Sequence, residues 1–353
     1  MALQPVFQIT NDITKAITDI ERARGFLEGA TLSPSWIRDM QDRAFVLEAH
    51  HTTHIEGTQL TLDQSKQILA GQSIENTNKE DVTELLNYQK AFEMVSHCLD
   101  SGETITEILI REIHKQLVLG VRGNSAAPGE YRKIQNYVVN QKTGKPVYTP
   151  PPAYEVPIMM AELIQWINTE HQINPILIAG IAQFQFVHIH PFLDGNGRVG
   201  RLLSTLCLYQ KGYDFKRLFT ISEYYDQNRA EYYQAIQSVR DNNMDMTDWL
   251  LYFTEGLSFQ MQSVHQSALQ NVQLETLQQE YHFTERQSSA IAYMLAHTTM
   301  TIQNFEKICP KINRRTLQRE LKTLIELGVI ETEGATNNLT YKLATNLRQN
   351  LRH

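Results

Sequence analysis

The segment from His190 to Arg201 constrains the fold of this 353-residue chain more than any other part. It reads His-Pro-Phe-Leu-Asp-Gly-Asn-Gly-Arg-Val-Gly-Arg. Apolar residues recur at helical spacing over 175–188 and again over 199–211, so residues 191–198 are predicted to form a polar, glycine-rich turn between two helices. Glycines let successive backbone N–H groups face one point, and the second helix adds the positive end of its dipole. We therefore expect an anion-binding nest at this turn.

The side chains around the nest indicate a phosphate-transfer site. Arg198 and Arg201 lie three positions apart on the second helix, so both can face one anion. Asp194 stands at the edge of the nest, where a carboxylate can hold a Mg²⁺ ion that bridges phosphate oxygens. His190 precedes the nest, and a neutral imidazole there can accept a proton from an attacking hydroxyl. A base, a metal ligand and two arginines so close together are typical of phosphate transfer.

Three other interpretations of the segment are weaker. Residues 195–200 match the dinucleotide-binding pattern G-x-G-x-x-G, but that pattern is specific only after a strand of a βαβ unit, and no parallel-sheet pattern surrounds it here. A Walker A loop would need a following Gly-Lys-Ser/Thr, which the chain lacks at this point. A plain helix–helix connection would not require the histidine, the aspartate and both arginines.

The segment resembles, position for position, the signature H-P-F-x-D-G-N-G-R-x-x-R of the Fic family. The resemblance implies a mainly α-helical core and a protein adenylyltransferase, which transfers AMP from ATP to a Ser, Thr or Tyr hydroxyl of a protein, itself included, releases pyrophosphate and uses Mg²⁺. By this resemblance His190 is the base and Asp194 the Mg²⁺ ligand, while Arg198 contacts the β-phosphate and Arg201 the γ-phosphate. The implied ATP-binding residues are Gly195, Asn196, Gly197, Arg198, Val199, Gly200 and Arg201.

Glu56 is expected to inhibit the enzyme. The run Thr52-Thr-His-Ile-Glu-Gly57 matches [S/T]-x-x-x-E-[G/N], which resembles the inhibitory motif of the class II branch of the family. Helical spacing predicts one helix over 34–56 that stops at Gly57, which argues against the alternative, a capping box that starts a helix at Thr53. The Glu56 carboxylate would pair with Arg201 and occupy the donor meant for the γ-phosphate. Some relatives also use this glutamate to remove AMP, so deAMPylation stays open.

Residues 135–149 are predicted to form a β-hairpin, because two β-prone runs flank the turn Thr143-Gly144. Together with the preceding Gly129-Glu-Tyr-Arg132, it resembles the flap of the family, to which the target protein adds a strand; an ordinary surface hairpin is the alternative. Tyr232 and Tyr233 resemble the region that closes over adenine in relatives, and a core role fits them nearly as well. His188 is expected to be structural, because metal-binding histidines on a helix usually stand four apart.

The last part of the chain, 282–353, resembles a winged helix. It carries ten Lys/Arg and six Asp/Glu, whereas the whole chain has a net charge of −7. Lys311, Arg314, Arg315, Arg319 and Lys322 lie on or near its second helix, 314–327, as they would on a helix that reads DNA. DNA binding through residues 311–322 and a protein-interaction or homodimer role with a solvated basic face are both open.

The expected architecture is mainly α in four segments. These are an N-terminal helical region with the inhibitory helix (1–100), a Fic catalytic core (101–255), a helical linker (256–281) and the winged-helix-like domain (282–353). Further helices are predicted over 62–69, 79–100, 105–118, 156–169, 229–239 and 246–270, with the Gln-rich stretch 271–280 as the connection.

Composition limits the class of protein. No run of about 18 uncharged apolar residues is present, so no membrane span is expected. The first residues lack a basic stretch followed by an apolar one, so no secretory signal is expected either. Cys98, Cys207 and Cys309 stand far apart, which argues against a disulfide framework or a zinc knuckle and favours the cytoplasm.

The sequence leaves two alternative functions open. A transferase of the same fold can use another donor, such as UMP, phosphocholine or a plain phosphate. The kinase-like branch of the family has lysine at the second glycine of G-N-G, whereas this chain has Gly197, which favours AMP. The second alternative is a DNA-binding regulator whose Fic core senses nucleotide. The intact His190 argues against it, because a sensor needs no base.

Overall fold

The structure is a computed structural model that describes residues 3–100, 102, 104–121, 127–139, 146–335 and 338–350. The chain forms two compact units. The first contains the residues up to Gly25 together with Ile37–Gln262, and the second contains Phe26–Trp36 together with the residues from Ser263 on. Among the helices of the described residues, none is long and apolar enough to cross a bilayer.

Helices make up most of the described chain, in agreement with the mainly α prediction. Their bounds are α1 Asn11–Gly29, α2 Pro34–Glu56, α3 Leu62–Leu69, α4 Lys79–Asp100, α5 Glu107–Val118, α6 Val156–Thr169, α7 Pro175–Ile189, α8 Asn196–Gln210, α9 Ser222–Gln227, α10 Arg229–Asp241, α11 Thr247–Tyr281, α12 Glu285–His297, α13 Ile302–Ile308, α14 Arg314–Glu326 and α15 Thr345–Asn350. The strands are β1 Val138–Val139, β2 Pro146–Tyr148, β3 Thr299–Met300, β4 Ile330–Glu333 and β5 Thr340–Leu343.

Helix α2 carries the predicted inhibitory residue in its last turn and has the predicted bounds. Ser33 Oγ accepts the N–H of Trp36 at 3.3 Å, which caps the start of the helix. The Thr53 hydroxyl donates to backbone carbonyls one turn back, so Thr53 is inside the helix and does not begin one. Gly57 follows with a φ of 118°, a conformation in which glycine ends a helix without strain.

Helices α7 and α8 form the centre of the first unit. Twelve of the fifteen residues of α7 are buried, and its apolar residues surround the whole helix, as expected for a helix in the core. Helix α11 packs closely on it, because Gly180 has no side chain. A Cβ there would come within 2.9 Å of Leu250, and the Gly180 carbonyl accepts the indole N–H of Trp249 at 2.8 Å.

Several predicted boundaries were wrong. Helix α8 begins at Asn196 and not at 199, because Gly195 adopts the left-handed conformation and the following residues already turn helically. Helix α11 continues to Tyr281, so the stretch 271–280 is helical; glutamine forms helices well, and Leu277 is buried in the core of the second unit. The boundary between the two compact units follows Gln262 and lies inside the predicted linker 256–281. Helix α1 was not predicted.

The second unit has the order helix, strand, two helices, two strands, helix over α12 to α15. Its antiparallel sheet has the order β3-β5-β4. Leu317, Leu321 and Leu324 on α14 face its apolar core, one helical turn apart. Part of the turn between β4 and β5 lies outside the described residues.

Candidate active site

The turn between α7 and α8 depends on two residues in the left-handed conformation. His190 ends α7 with φ 52° and ψ 58°, and Gly195 precedes α8 with φ 77° and ψ 2°. A Cβ on Gly195 would lie 3.1 Å from Val118 Cγ1, so both space and backbone conformation favour glycine. Because α8 starts at Asn196, the first backbone N–H groups of the predicted nest lack acceptors within the helix.

The side chain of Asn196 is used to shape this turn. Its Oδ1 accepts the N–H of Phe192 at 2.9 Å, and its Nδ2 donates to the Phe192 carbonyl at 2.9 Å. The Phe192 ring stacks on His114, with centroids 3.6 Å apart. His114 accepts the Gly129 N–H at Nδ1 and donates from Nε2 to the Asp194 carbonyl, each at 3.0 Å. Burial lowers the pKa of His114 to about 4, which agrees with this neutral tautomer.

His190 is held as a neutral imidazole. Its Nδ1 lies 3.3 Å from the Val187 carbonyl, which can only accept, so Nδ1 carries the proton and Nε2 has a free lone pair. Burial lowers the pKa of His190 to about 4, and the nearby Arg132 and Arg240 lower it further, against the opposing effects of the Val187 bond and Glu56. At neutral pH His190 is therefore in the form that a general base requires.

Arg132 fastens the base of the hairpin to the turn. Its Nε donates to the His190 carbonyl at 2.9 Å, and its backbone N–H donates to Pro191 at 2.8 Å. Its Nη2 donates to the carbonyls of Pro151 and Ile189. The side chain is buried, and burial lowers the pKa of Arg132 below its usual value. The position of the His190 backbone is thus tied to the residues from which the hairpin extends.

The hairpin predicted over 135–149 is present as an antiparallel pair, β1 with β2. Its predicted turn, Thr143-Gly144, lies outside the described residues. The Tyr148 hydroxyl lies 2.9 Å from both Nδ1 and the carbonyl of His188, and the Arg240 guanidinium stands 3.5 Å from the Tyr148 ring centroid. His188 therefore contacts the hairpin strand. Three apolar side chains of the hairpin are about half exposed: Tyr137, Val139 and Val147.

Arg201 is buried, and the last turns of α2 bind its Nε and Nη2. Its Nε donates to Thr52 Oγ1 at 2.7 Å, and its Nη2 donates to the Thr52 carbonyl at 2.9 Å and to Glu56 Oε1 at 2.7 Å. Burial alone would lower the pKa of Arg201, but the Glu56 carboxylate and nearby tyrosines raise it above its ordinary value. The predicted pairing partner of Glu56 is therefore the residue that Glu56 contacts.

The Glu56 carboxylate also lies against the nest itself. A Cβ built on Gly197 would collide with Glu56 Oε1, so the carboxylate approaches the backbone of the first turn of α8 as closely as glycine permits. The Glu56 carboxylate thus lies beside the Gly197 backbone and Arg201, the two groups that were predicted to bind phosphate.

Arg198 has a different partner, which the sequence did not predict. Its Nη1 donates to Glu84 Oε2 at 2.7 Å, and both side chains are buried. Within the described residues, its Nε and Nη2 are buried and have no hydrogen-bond acceptor. Asp194 Oδ1 lies 3.9 Å from Nη2 and accepts the Gly195 N–H at 2.7 Å, so Asp194 stands at the predicted edge of the nest.

The two tyrosines differ in exposure. Tyr232 is buried, stacks on Tyr225 with centroids 4.3 Å apart and contacts Gln183, so its ring belongs to the core. Tyr233 is 49% exposed as a whole, whereas burial of its hydroxyl end raises the pKa of that hydroxyl. Of the two, only Tyr233 presents a substantial surface to a ligand.

The last two turns of α2 are also tied to α9 and α10. His51 Nδ1 and His54 Nδ1 each lie 2.8 Å from Asp226 Oδ2, and Arg229 Nε donates to Asp226 Oδ1 at 2.6 Å. Although burial opposes it, hydrogen bonds from the histidines and Arg229 hold the pKa of Asp226 below its usual range. Asp226 therefore connects the segment that carries Glu56 to the helix that carries Tyr233.

Several of these partners have only weak signals in the sequence. Glu84 is a carboxylate on the apolar face of α4, in helical spacing with the buried Leu85 and Tyr88. His114 similarly stands on the buried face of α5. The sequence gives Arg132 no signal beyond its place in the run before the hairpin.

Comparisons with known proteins agree with this geometry. Residues 104–208 match the model of the Fic/DOC family. The chain is 28% identical over 214 residues to the protein adenylyltransferase Fic of Drosophila ananassae, covering 58% of this chain and 41% of the relative. It is 29% identical over 202 residues to that of Drosophila persimilis, covering 56% and 38%. The chain thus spans about two fifths of the length of these relatives.

Solved structures have the same fold. A Fic family protein from Desulfovibrio desulfuricans G20 superposes with a TM-score of 0.63 at 21% identity, covering 97% of this chain and 99% of that one. Fic-1 from C. elegans, residues 134–508, superposes with a TM-score of 0.60 at 25% identity, covering 71% of each chain.

Proposed function

Because the chain carries a domain of the Fic family, we propose that it is a protein adenylyltransferase that transfers AMP from ATP to a protein hydroxyl. One observation carries the proposal. A neutral His190 stands beside a glycine-rich nest in which two buried guanidinium nitrogens of Arg198 lack an acceptor among the described residues. Buried donors without acceptors are costly, and a phosphate oxygen is the acceptor that suits an arginine best. The curated relatives named protein adenylyltransferase support AMP as the transferred group.

The residues present fit an ATP-bound Mg²⁺ ion. Within the described residues no group of three His, Cys, Asp or Glu side chains could hold a metal by itself. Asp194 is 27% exposed at the edge of the nest and supplies one carboxylate. Mg²⁺ is commonly held by one or two carboxylates together with substrate phosphates and water. When bound there, the ion would neutralise part of the phosphate charge, with Asp194 as its protein ligand.

The reaction follows from the two ends of the site. The target hydroxyl attacks the α-phosphorus of ATP, and its proton passes to His190 Nε2. A bond forms between the hydroxyl oxygen and the α-phosphorus, and the bond between the α-phosphorus and the oxygen that bridges to the β-phosphate breaks. Pyrophosphate leaves with the negative charge, which the nest N–H groups, Arg198 and Arg201 stabilise. Exposed Tyr137, Val139 and Val147 support the hairpin as the surface on which the target strand docks.

In this proposal Glu56 is the inhibitor. Its ion pair with Arg201 and its contact with Gly197 support the hypothesis that it excludes the γ-phosphate from its productive position. ATP would then bind with its α-phosphorus misaligned for attack from the His190 side. Activity therefore requires the last turn of α2 to move or Glu56 to be displaced.

The test uses ATP labelled at the α- or at the γ-phosphate in parallel, with the Glu56→Gly variant as its own substrate. We expect label from the α-phosphate on the protein and none from the γ-phosphate. Label from the γ-phosphate would instead indicate a kinase. Unlabelled UTP and CDP-choline as competitors test the other donors, and competition stronger than that of unlabelled ATP would contradict the choice of ATP.

A second candidate function, DNA binding by the second unit, is favoured by the exposed face of α14. Arg315, Gln318, Arg319 and Lys322 are spaced as one helical stripe, and all four are exposed. Their opposite face is buried in the core of that unit. Such a stripe suits a duplex major groove, where arginine and glutamine bind base edges.

Duplex binding by the full chain, measured by fluorescence anisotropy, tests this candidate. We expect the affinity to fall steeply as salt rises, and to be lost in an Arg315→Ala/Arg319→Ala variant. The control is Arg22→Ala, at an exposed arginine of α1. If binding is absent or insensitive to salt, the face is better explained as a protein-binding or homodimer surface, which sedimentation of the same variants would detect.

A further inference from the structure

The contact between Glu84 and Arg198 has a specific geometry. A guanidinium presents two of its nitrogens, Nε and Nη2, along one edge, and this edge matches two oxygens of a phosphate or carboxylate. Glu84 Oε2 accepts from Nη1, which lies off that edge. The nitrogens without an acceptor among the described residues are Nε and Nη2, the two members of the edge. Glu84 therefore binds Arg198 without consuming the edge that would bind a ligand.

The position of Glu84 supports a role in orientation. Its side chain is 5% exposed and that of Arg198 is 0% exposed, so water competes little with the bond between them. Glu84 belongs to α4, whereas Arg198 is in the first turn of α8, so the bond crosses between two helices of the first unit. An arginine side chain has several rotatable bonds, and a fixed anchor at Nη1 restricts the direction of the opposite edge.

Resting on the proposed function, we propose that Glu84 is a positioning residue that aims the Nε–Nη2 edge of Arg198 at the β-phosphate of ATP. Glu84 does not touch the reacting atoms. It acts through Arg198, and its effect is on the binding of the polyphosphate. The adenosine end of the nucleotide should be indifferent to Glu84.

A bystander role predicts a different result for one variant. If Glu84 were only an anion near the nucleotide, Glu84→Gln would remove a repulsive charge and strengthen ATP binding, and Glu84→Asp would change little. If Glu84 positions Arg198, Glu84→Gln keeps a side-chain oxygen within hydrogen-bond distance of Arg198 and retains ATP binding. Glu84→Asp keeps the charge, but its shorter side chain no longer reaches Arg198. The variant Glu84→Asp distinguishes the two explanations, because it changes the length of the side chain and keeps its charge.

The experiment measures ATP, AMP and inorganic pyrophosphate binding by isothermal titration calorimetry in the Glu56→Gly background. For Glu84→Asp and Glu84→Leu we expect the Kd for ATP and pyrophosphate to rise about tenfold, as for the loss of one charge-assisted hydrogen bond. The Kd for AMP should stay within about threefold, because AMP lacks the β-phosphate, and Glu84→Gln should bind ATP within about threefold of the parent or more tightly. Glu93→Leu, at an exposed glutamate on the same helix, is the control.

The proposal is overturned if Glu84→Asp binds ATP like the parent, or if AMP and ATP weaken in equal proportion. It is also overturned if Glu84→Gln weakens ATP binding as much as Glu84→Asp. If Glu84→Leu does not fold, the comparison of Asp with Gln decides alone, with thermal unfolding as the check on both. Failure of the parent to bind ATP or AMP would contradict the proposed function instead, and the pyrophosphate titrations would still test Glu84.

Discussion

Arg198 and Arg201 lie three residues apart on one helix, both are buried, and each is paired with a glutamate from another helix, yet different nitrogens are occupied. On Arg198, Glu84 takes Nη1 and the Nε–Nη2 edge has no acceptor among the described residues. On Arg201, Thr52 and Glu56 take Nε and Nη2, the whole of that edge. Under the proposed function, the same pair of residue types would prepare one arginine for a ligand and withdraw the other from it.

The difference lies in which nitrogen the carboxylate reaches and in which helix carries it. Glu84 stands six residues into α4, whereas Glu56 is the last residue of α2 and is followed by a glycine. Helix ends open at much lower free energy than helix centres, so the contact at Arg201 is the one that can be released. We infer that the first contact is permanent and the second is the regulated one.

The largest effect is expected from a residue outside this comparison. His190→Ala should reduce AMP transfer by about 10²–10⁴-fold, since it removes the base for the target hydroxyl. ATP affinity should change little, because both arginines and the nest are intact. Initial rates and ATP titrations of the same preparation provide the measurement. Transfer near the wild-type rate would remove His190 from the role of base.

Glu56→Gly should release Arg201 Nη2 from its carboxylate partner and leave only the uncharged contacts to Thr52 on that edge. We expect AMP transfer, including transfer onto the protein itself, to rise by about ten- to a hundredfold, the range that follows from loss of one charge-assisted hydrogen bond. Glycine one position before the natural Gly57 should cost little stability. The rate at fixed ATP and Mg²⁺ is the readout.

Two controls accompany Glu56→Gly. The double variant Glu56→Gly/His190→Ala should be inactive, which shows that the gained rate uses the same base. Arg201→Ala alone should not reproduce the gain, because it removes the γ-phosphate partner together with the anchor of Glu56. An unchanged rate in Glu56→Gly would exclude Glu56 from the inhibition.

Asp226→Asn should produce a smaller gain, because it weakens the fastening of the helix that carries Glu56. The Asp226 carboxylate accepts hydrogen bonds from His51, His54 and Arg229. Loss of its charge should raise transfer about fivefold, the value of roughly one hydrogen bond. The double variant with Glu56→Gly should be no faster than Glu56→Gly alone, since there is nothing left to release. Additive gains would show that Asp226 acts elsewhere, for instance on the nucleotide through α10.

The sequence predicted the parts of this site that are local and could not predict the parts that join distant segments. The glycine-rich turn, His190 and the two arginines fall within the run 190–201, and helical spacing with a terminal glycine predicts the bounds of α2. Glu84 and Arg198 are 114 positions apart, so no spacing rule connects them. The same holds for Asp226 with His51, and for His114 with Asp194.

The wrong boundaries have a physical reason as well. Polar and glycine residues were assigned to a turn as far as Arg198, yet the turn ends at Gly195 and α8 begins directly after it. The Gln-rich stretch 271–280 was assigned to a connection, yet one buried leucine, Leu277, and good helix formers keep it helical. Composition describes helix ends poorly in both cases.

The smallest expected effect is a flat pH profile. Burial gives His190 a pKa of about 4, below the 6.5 of an exposed histidine. At pH 5.5 a histidine of pKa 6.5 would be only about 9% neutral, whereas one of pKa 4 would be about 97% neutral. The rate of Glu56→Gly should therefore hold between pH 8 and pH 5.5, apart from any loss of folded protein. A rate that falls tenfold with an apparent pKa near 6.5 would contradict the buried, neutral base.

The folded fraction must be followed in the same scan, because the same shift acts on stability with a definite sign. The folded pKa lies below the unfolded one, so as the pH falls from 6.5 towards 4 the unfolded chain binds a proton that the folded chain refuses, and stability decreases. His50, His114 and His188 have pKa values lowered to about 4 by burial and add to this loss. Thermal unfolding should therefore shift to lower temperature between pH 7 and pH 5, while the activity per folded molecule stays constant. A melting temperature that is constant over this range would show that these imidazoles gain protons in the folded state, and the assignment of His190 as a neutral base at acidic pH would fail with it.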